Sequence, residues 1–284
     1  MTNNAELVVQ APVLAHDALT LLARRVKAGA LIPSGTGTPP AYRFPVAADD
    51  KTLRAAAEAI ACDAAAIPLD RHLDQVCVVA MDMDSTLITI ECVDEIADFM
   101  GIKPMVAAIT ASAMRGEIEF PESLRRRVAL LAGLPVSALQ RVYDERLALS
   151  PGAERMLAGF KAAGAKTALL SGGFTFFTEH LKARLGLDYA VANTLEVAGG
   201  KLTGRIEGDI VDASVKAARL RQLTRDLASS SRSLGVAIGD GANDLPMFAE
   251  ADVSVAYRAK PIVRAGATHA IDHCGLDAVL NLFR

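Results

Sequence analysis

Two aspartates follow directly on an apolar run, and their spacing suits them for chemistry. The run Val76–Met81 consists of six apolar residues, three of them valines. It is typical of a strand that is buried on both faces of a parallel sheet. Asp82 and Asp84 come next, one residue apart, so in extended backbone both carboxylates point to the same side. Adjacent carboxylates are costly unless a cation or a proton-transfer task holds them there, and ligands bind at strand ends of this kind.

A second pair of aspartates lies in the same kind of position. The apolar residues 234–238 lead into a glycine-rich turn before a helix, Gly239-Asp240-Gly241-Ala242-Asn243-Asp244. If the two strands are neighbours in the sheet, four carboxylates converge on one crevice, those of Asp82, Asp84, Asp240 and Asp244. A set of oxygen ligands without Cys or His favours Mg²⁺, which commonly binds through a few carboxylates and a substrate phosphate.

Two further segments are placed to bind an anion. The residues Lys166–Leu170 predict a buried strand, and Ser171-Gly172-Gly173 follow it before the next predicted helix. A hydroxyl and free backbone N–H groups at such a turn form an anion cradle. Lys216 begins another predicted helix, which continues to Leu227, and adds a positive charge. The alternation of buried strands and helices predicts an α/β fold built on a parallel sheet.

The segment between the first two of these strands predicts a cap. Residues 92–150 contain four short amphipathic helices and no strand-like run. Helices inserted between two strands of one sheet can cover the strand ends, exclude water and select the substrate. The catalytic core is then expected to comprise residues 73–91 and 151–284.

The first 72 residues predict a separate small α+β domain. Strands are expected at Glu6–Gln10 and Tyr42–Ala47, and helices at Ala15–Lys27 and Asp50–Cys62. No constellation in this domain suggests chemistry. It would bind a ligand or help a homodimer form.

Composition argues against several classes of protein. The net charge of −3 makes nucleic acid a poor partner. No apolar run approaches the ~20 residues of a membrane span, and the first residues do not have the pattern of a signal peptide. The cysteines show neither C-x-x-C spacing nor a nearby His pair, so neither a zinc site nor a disulfide framework is indicated: Cys62, Cys77, Cys92 and Cys274. A cytoplasmic location is expected.

Taken together, the four segments resemble the ordered motifs of the haloacid dehalogenase superfamily of phosphatases. These are Asp82-Met-Asp84-Ser-Thr-Leu, Ser171-Gly-Gly, Lys216 and Gly239-Asp-Gly-Ala-Asn-Asp244. The resemblance implies a Rossmann-like parallel sheet with an inserted helical cap. Within the superfamily, Glu91 and the cap stretch 114–128 resemble the phosphoserine phosphatase family.

That resemblance implies Mg²⁺-dependent hydrolysis of O-phospho-L-serine, the last step of serine biosynthesis. Asp82 would attack phosphorus to give an aspartyl-phosphate, and Asp84 would act first as acid and then as base. The cation would be bound by Asp82, Asp84 and Asp240, with Asp244 orienting its waters. The phosphoryl oxygens would be held by Ser171, Gly172, Gly173 and Lys216.

The resemblance also assigns the substrate's amino-acid end. Glu91 would bind the ammonium group, and Arg127 would bind the carboxylate through two hydrogen bonds. Met114 and Phe120 would form an apolar wall, and Asn243 would contact phosphate or substrate. Three alternatives stay open: a phosphatase for another small phosphomonoester, a phosphotransferase, and a non-catalytic phosphoserine sensor.

Overall fold

The computed structural model describes residues 5–13, 20, 24, 32–34, 39–45 and 61–284. The helices expected at Ala15–Lys27 and Asp50–Cys62 lie largely outside these residues. Within them, no helix is both long enough and apolar enough to cross a bilayer.

A small antiparallel sheet precedes the predicted core. Its four strands lie in the order β2-β3-β1-β4: β1 Ala5–Gln10, β2 Ile32–Ser34, β3 Ala41–Pro45 and β4 Asp63–Pro68. The strands expected at Glu6–Gln10 and Tyr42–Ala47 correspond to β1 and β3. The buried carboxylate of Asp63 fastens this sheet to the rest of the chain, because it accepts the backbone N–H groups of Asp272, His273 and Cys274.

The central element is a seven-stranded sheet in the order β11-β10-β9-β5-β6-β7-β8. Its strands are β5 Val76–Met81, β6 Lys166–Phe174, β7 Tyr189–Ala198, β8 Lys201–Glu207, β9 Leu234–Gly239, β10 Val253–Tyr257 and β11 His269–Ile271. Every pairing is parallel except the β7–β8 hairpin. The predicted α/β class is confirmed.

The valine-rich run forms a central strand because both of its faces meet apolar layers. Val76, Val79 and Met81 pack into one apolar cluster, whereas Val78 and Ala80 pack into another. Helices cover the sheet on both sides. Helix α5 Ala153–Ala162 directly precedes β6. The helices that follow β6 are α6 Thr175–Leu185, α7 Ala213–Leu227, α8 Leu245–Ala249 and α9 Pro261–Ala265.

Four helices lie within residues 92–150, as the sequence predicts. They are α1 Cys92–Phe99, α2 Lys103–Met114, α3 Phe120–Ala129 and α4 Ser137–Glu145. The two connections to the sheet pair with each other through a bridge between Ile88 and Leu149. A second attachment joins this helical segment to the β7–β8 hairpin, where Gly133 N–H donates to Leu202 O and Leu202 N–H donates to Leu134 O, each at 2.8 Å.

Candidate active site

Three aspartate carboxylates lie together at the ends of two adjacent strands. β5 and β9 are parallel neighbours, and Met81 is paired with Ile238, so the chain leaves both strands at the same level. The carboxylates of Asp82, Asp240 and Asp244 offer oxygens that all lie within 4.8 Å of one another. Strands β5 and β9 are neighbours, as the predicted convergence required, and the carboxylates of Asp82, Asp240 and Asp244 therefore lie together.

A buried lysine joins two of these aspartates. Lys216 Nζ lies 2.8 Å from Asp82 Oδ2 and 2.7 Å from Asp244 Oδ1, and its side chain is 1% exposed. Burial alone would lower the pKa of Lys216, but the two carboxylates outweigh burial and hold that pKa above its usual value. Lys216 thus stays charged and compensates part of the negative charge around Asp82.

The other contacts of these aspartates fix their orientation. Asp82 Oδ1 accepts the Met83 N–H at 2.7 Å, and Asp240 Oδ1 accepts the Thr86 hydroxyl at 2.7 Å. Asp244 Oδ2 accepts the N–H groups of Asp240 and Gly241. Burial, reinforced by the charge of Asp82, raises the pKa of Asp240 to about 6 and that of Asp244 to about 7. A divalent cation at this place would offset the concentrated negative charge.

Asp84 has the protonation state that an acid catalyst needs. Its Oδ1 accepts the backbone N–H of Cys92 at 3.2 Å. Burial, followed by the charge of Glu91, raises the pKa of Asp84 to about 8. Both effects favour the protonated form of the carboxyl, which is the usual way that an enzyme sets up a general acid.

These groups face a cavity of about 120 Å³. It brings together most of the predicted site residues and three apolar ones, and its lining is Asp82, Asp84, Glu91, Val93, Phe120, Leu124, Arg127, Ser171, Gly172, Gly173, Phe174, Asp240 and Asn243. Asn243 Nδ2 lies 3.4 Å from Asp82 Oδ2. Lys216 and Asp244 lie behind this lining and contact it through Asp82 and Asp240.

The glycines of the lining lie close to neighbouring side chains. A Cβ on Gly173 would lie 2.8 Å from Met83 Cε and 3.1 Å from Asp84 Oδ2. A Cβ on Gly172 would lie 3.1 Å from Cζ of Phe120. Strand β6 continues through both glycines to Phe174, whereas the sequence predicts that it ends at Leu170. The glycines let the strand pass directly beneath Asp84 and the first residue of α3.

Opposite charges stand on the α1–α4 side of the cavity. Glu91 Oε1 accepts the hydroxyl of Ser85 at 2.7 Å, and burial raises the pKa of Glu91. Burial lowers the pKa of Arg127, against the charges of Asp94 and Glu91, which act to raise it. The Nε of Arg127 donates to Ser123 O at 3.4 Å. Within the described part of the chain, Arg127 has no carboxylate within ion-pair distance, so its guanidinium has capacity for an anionic ligand.

Met114, unlike Lys216 and Asp244, neither lines the inner cavity nor forms a hydrogen bond or ion pair with its lining. Its side chain is 69% exposed, and it lines an outer groove of about 710 Å³. This groove shares Glu91, Arg127 and Asn243 with the inner cavity. Met114 therefore lies at the approach to the site.

Sequence reasoning missed two polar residues that hold this arrangement. Thr86 is fully buried and orients Asp240. Asn193, in β7, is 1% exposed and donates to Gly172 O at 2.9 Å. Thr86 stands inside the first motif, which was a usable signal. Asn193 lies outside every motif and has no such signal.

The helix that carries Lys216 begins at a strong cap. Asp212 Oδ1 accepts the N–H groups of Ser214 and Val215 and the Ser214 hydroxyl. The side-chain bond from Ser214, and then the Val215 N–H, lower the pKa of Asp212. We expect Asp212→Ala to lower the free energy of unfolding by about 1 kcal/mol at neutral pH, as is usual for such caps.

The pH dependence of this effect has a definite sign. Because the folded pKa of Asp212 lies below the unfolded value of about 3.9, the stabilisation is complete above that value and is lost as the pH falls through the folded pKa. Urea unfolding at pH 7 and at pH 3 measures this, with the exposed Asp209→Ala as control. A cost that did not shrink at pH 3 would contradict the assignment.

Comparison with known proteins identifies the family. Residues 79–249 match the haloacid dehalogenase-like hydrolases. A phosphoserine phosphatase from Polaromonas sp. is 52% identical over 220 residues, which cover 76% of this chain and 93% of that relative. The chain belongs to the phosphoserine phosphatase family of haloacid dehalogenase-like hydrolases. The resemblance seen in the motifs is thereby confirmed.

Solved structures extend the likeness within the phosphoserine phosphatase family. A probable phosphoserine phosphatase from Vibrio cholerae, in unliganded form, is 35% identical, covers 99% of this chain and 86% of its own, and has a TM-score of 0.84. A substrate-bound phosphoserine phosphatase is 36% identical and covers 74% of this chain and 99% of its own, with a TM-score of 0.67. The match to the Vibrio cholerae structure also includes the small antiparallel sheet of this chain.

Proposed function

We propose that the protein hydrolyses O-phospho-L-serine to L-serine and phosphate through an aspartyl-phosphate on Asp82. The observation that carries this proposal is the single small cavity. Its lining includes Asp82, Asp84 and the Ser-Gly-Gly segment together with Glu91 and Arg127. The names of the relatives, which are phosphoserine phosphatases, support the same substrate.

The covalent step uses the two aspartates of the first motif. A carboxylate oxygen of Asp82 attacks phosphorus as the bond from phosphorus to the serine oxygen breaks. Asp84 gives its proton to that departing oxygen, which leaves as the serine hydroxyl. Asp84 then takes a proton from water as the water attacks the aspartyl-phosphate and releases inorganic phosphate. The raised pKa of Asp84 suits both roles, since the group changes protonation state near neutral pH.

The cation that we propose is Mg²⁺, and the donor set fits it because every available ligand is oxygen. Asp82 and Asp240 would supply carboxylate oxygens, and Asp84 its backbone carbonyl. Asp244, whose oxygens accept from Lys216 and from two backbone N–H groups, would orient the waters of the cation, as the family resemblance implies. When bound, Mg²⁺ offsets the repulsion between the anionic nucleophile and the phosphate.

The remaining residues bind and select the substrate. The Ser171 hydroxyl, the Gly172 N–H and Lys216 would stabilise the charge on the phosphoryl oxygens, and Gly173 would contribute through its bond to Ser171 Oγ. Glu91 would bind the ammonium group and Arg127 the carboxylate of serine. Phe120 closes the cavity over Gly172, and residues 92–150 would act as the cap that keeps water out.

A panel of esters tests this proposal. Phosphate release is measured from L-phosphoserine, phosphoethanolamine, phosphoglycolate and a sugar phosphate, each with Mg²⁺ and with EDTA. We expect Mg²⁺-dependent release with kcat/KM for phosphoserine at least about 10²-fold above the other esters, because the charges of Glu91 and Arg127 would contact its amino-acid end. Preference for another ester would overturn the substrate assignment, and equal release in EDTA would overturn the metal assignment.

A further inference from the structure

The Asn193 side chain joins two segments that are far apart in the sequence. Its Nδ2 donates to Gly172 O at 2.9 Å and to Val211 O at 3.3 Å, and its Oδ1 accepts the Val211 N–H at 2.8 Å. The residue is 1% exposed. A buried amide with its oxygen and both N–H donors engaged is held in one orientation, because breaking any of these bonds leaves a buried polar group unpaired.

The first of these bonds acts on the peptide that follows Gly172. Gly172 C=O and Gly173 N–H belong to one planar unit, so a bond that fixes the carbonyl also fixes the direction of the N–H. That N–H donates to Ser171 Oγ at 2.9 Å. Without Asn193 the glycine pair would be free to turn, since glycine restricts the backbone least.

The hydroxyl of Ser171 is thereby given a definite role. A serine hydroxyl has one proton to donate and two lone pairs that accept. With a lone pair engaged by Gly173 N–H, its proton is free to point into the cavity that Ser171 lines. The hydroxyl then donates to a phosphoryl oxygen without first rearranging, which is the preorganisation that makes such donors effective.

The other two bonds place the same amide at the start of the lysine helix. Val211, whose N–H and C=O both bond to Asn193, precedes the cap residue Asp212 of helix α7. Lys216 lies in the first turn of α7. Asn193 thus links the Gly172 backbone to the residue that precedes the cap of the lysine helix.

We propose that Asn193 is a positioning residue for phosphate: it acts through the Gly172–Gly173 peptide to present the Ser171 hydroxyl as a donor. This inference rests on the proposed function, because it takes the phosphoryl group to bind at Ser171. It assigns a task to a residue that lies outside the four motifs and outside the cavity lining.

The test is the affinity for inorganic phosphate, measured by calorimetry on the full chain with Mg²⁺ supplied. Asn193→Asp keeps an oxygen for Val211 N–H and places a second oxygen against Gly172 O. Asn193→Ser removes most of the contact with less charge conflict. We expect both variants to bind phosphate about 10- to 100-fold more weakly, as when a hydrogen bond to a charged group is lost. Unchanged affinity in folded variants would overturn the proposal.

The matched control is Leu195→Ala, two residues further along β7 on the same buried face. Leu195 packs in the apolar cluster. Among the described residues, its side chain makes no hydrogen bond to Gly172 or Gly173. This variant should lower the melting temperature yet leave phosphate affinity within about 2-fold. If it weakens phosphate binding as much as the Asn193 variants, the effect is one of general stability and the proposal fails.

A double-mutant cycle shows whether Asn193 acts through Ser171. Ser171→Ala removes the donor, so adding Asn193→Asp should weaken phosphate binding by no more than about 2-fold further. Full additivity of the two losses would overturn the route through Ser171. Because the readout is binding of phosphate itself, the cycle stays informative even if phosphoserine proves not to be the substrate.

Discussion

The variant Asp82→Asn is expected to lose phosphoserine turnover by at least about 10⁴-fold, the scale seen when a covalent nucleophile is removed. An amide nitrogen or oxygen does not displace an alkoxide from phosphorus, so no aspartyl-phosphate forms. The fold should survive, because an amide oxygen still accepts the Met83 N–H and Lys216 keeps its ion pair with Asp244. Phosphate release, together with circular dichroism, measures both properties.

A trapping experiment makes this expectation sharper. Wild-type protein quenched in acid after mixing with ³²P-labelled phosphoserine should carry label, and the Asp82→Asn variant should carry none. The exposed Asp226→Asn, on helix α7, is the control and should behave as wild type. Label on the variant, or turnover above about 1% of wild type, would refute Asp82 as the nucleophile.

The variant Arg127→Ala is expected to lower kcat/KM for phosphoserine by about 30- to 1000-fold, mostly through KM. Truncating one member of a desolvated charge pair typically costs about 2–4 kcal/mol, because the substrate carboxylate would be buried without its partner. Phosphoethanolamine has no carboxylate, so its kcat/KM should fall far less. The ratio of the two kcat/KM values is the quantity to measure.

The neighbouring Arg126 offers a control on the same helix. Its side chain is 54% exposed and makes an i,i+4 ion pair with Glu122, a surface contact that contributes little to stability. Arg126→Ala should leave the ratio of the two substrates as it is in wild type. An equal loss for both esters in Arg127→Ala would contradict carboxylate binding by Arg127.

The part of the site that the sequence predicts best is the part that secondary structure alone determines. A six-residue apolar run can be buried on two faces only in the middle of a sheet, and its end fixes where Asp82 and Asp84 emerge. The four helices of residues 92–150 follow from their apolar period in the same way. Such local patterns place the aspartates and the Ser-Gly-Gly segment at strand ends and Lys216 on a helix, and the resemblance to the superfamily supplied the expectation that these segments meet at one edge.

What the sequence does not predict depends on contacts between distant segments. The position of Met114 depends on how α2 is oriented over the sheet, and no local pattern determines that. The engagement of Asn193 depends on β7 pairing with β6 and on the chain returning to Val211. The extension of β6 past Leu170 is hidden because the pattern of Ser171-Gly172-Gly173 is typical of a turn.

The fastening of the small antiparallel sheet has a consequence for the order in which the protein can be completed during synthesis. The residues on which this sheet docks follow the entire catalytic sheet in the chain. They are Asp272–Cys274 and the 3₁₀ helix Leu276–Leu282. Gln10, for example, donates to Ala278 O across 268 residues. Strands β1 to β4 are synthesised before the surface that they dock on, and the catalytic sheet lies between the two in the chain. Docking of β1 to β4 can therefore occur only after the whole catalytic sheet has been synthesised, and it closes a loop that contains all of the proposed catalytic residues.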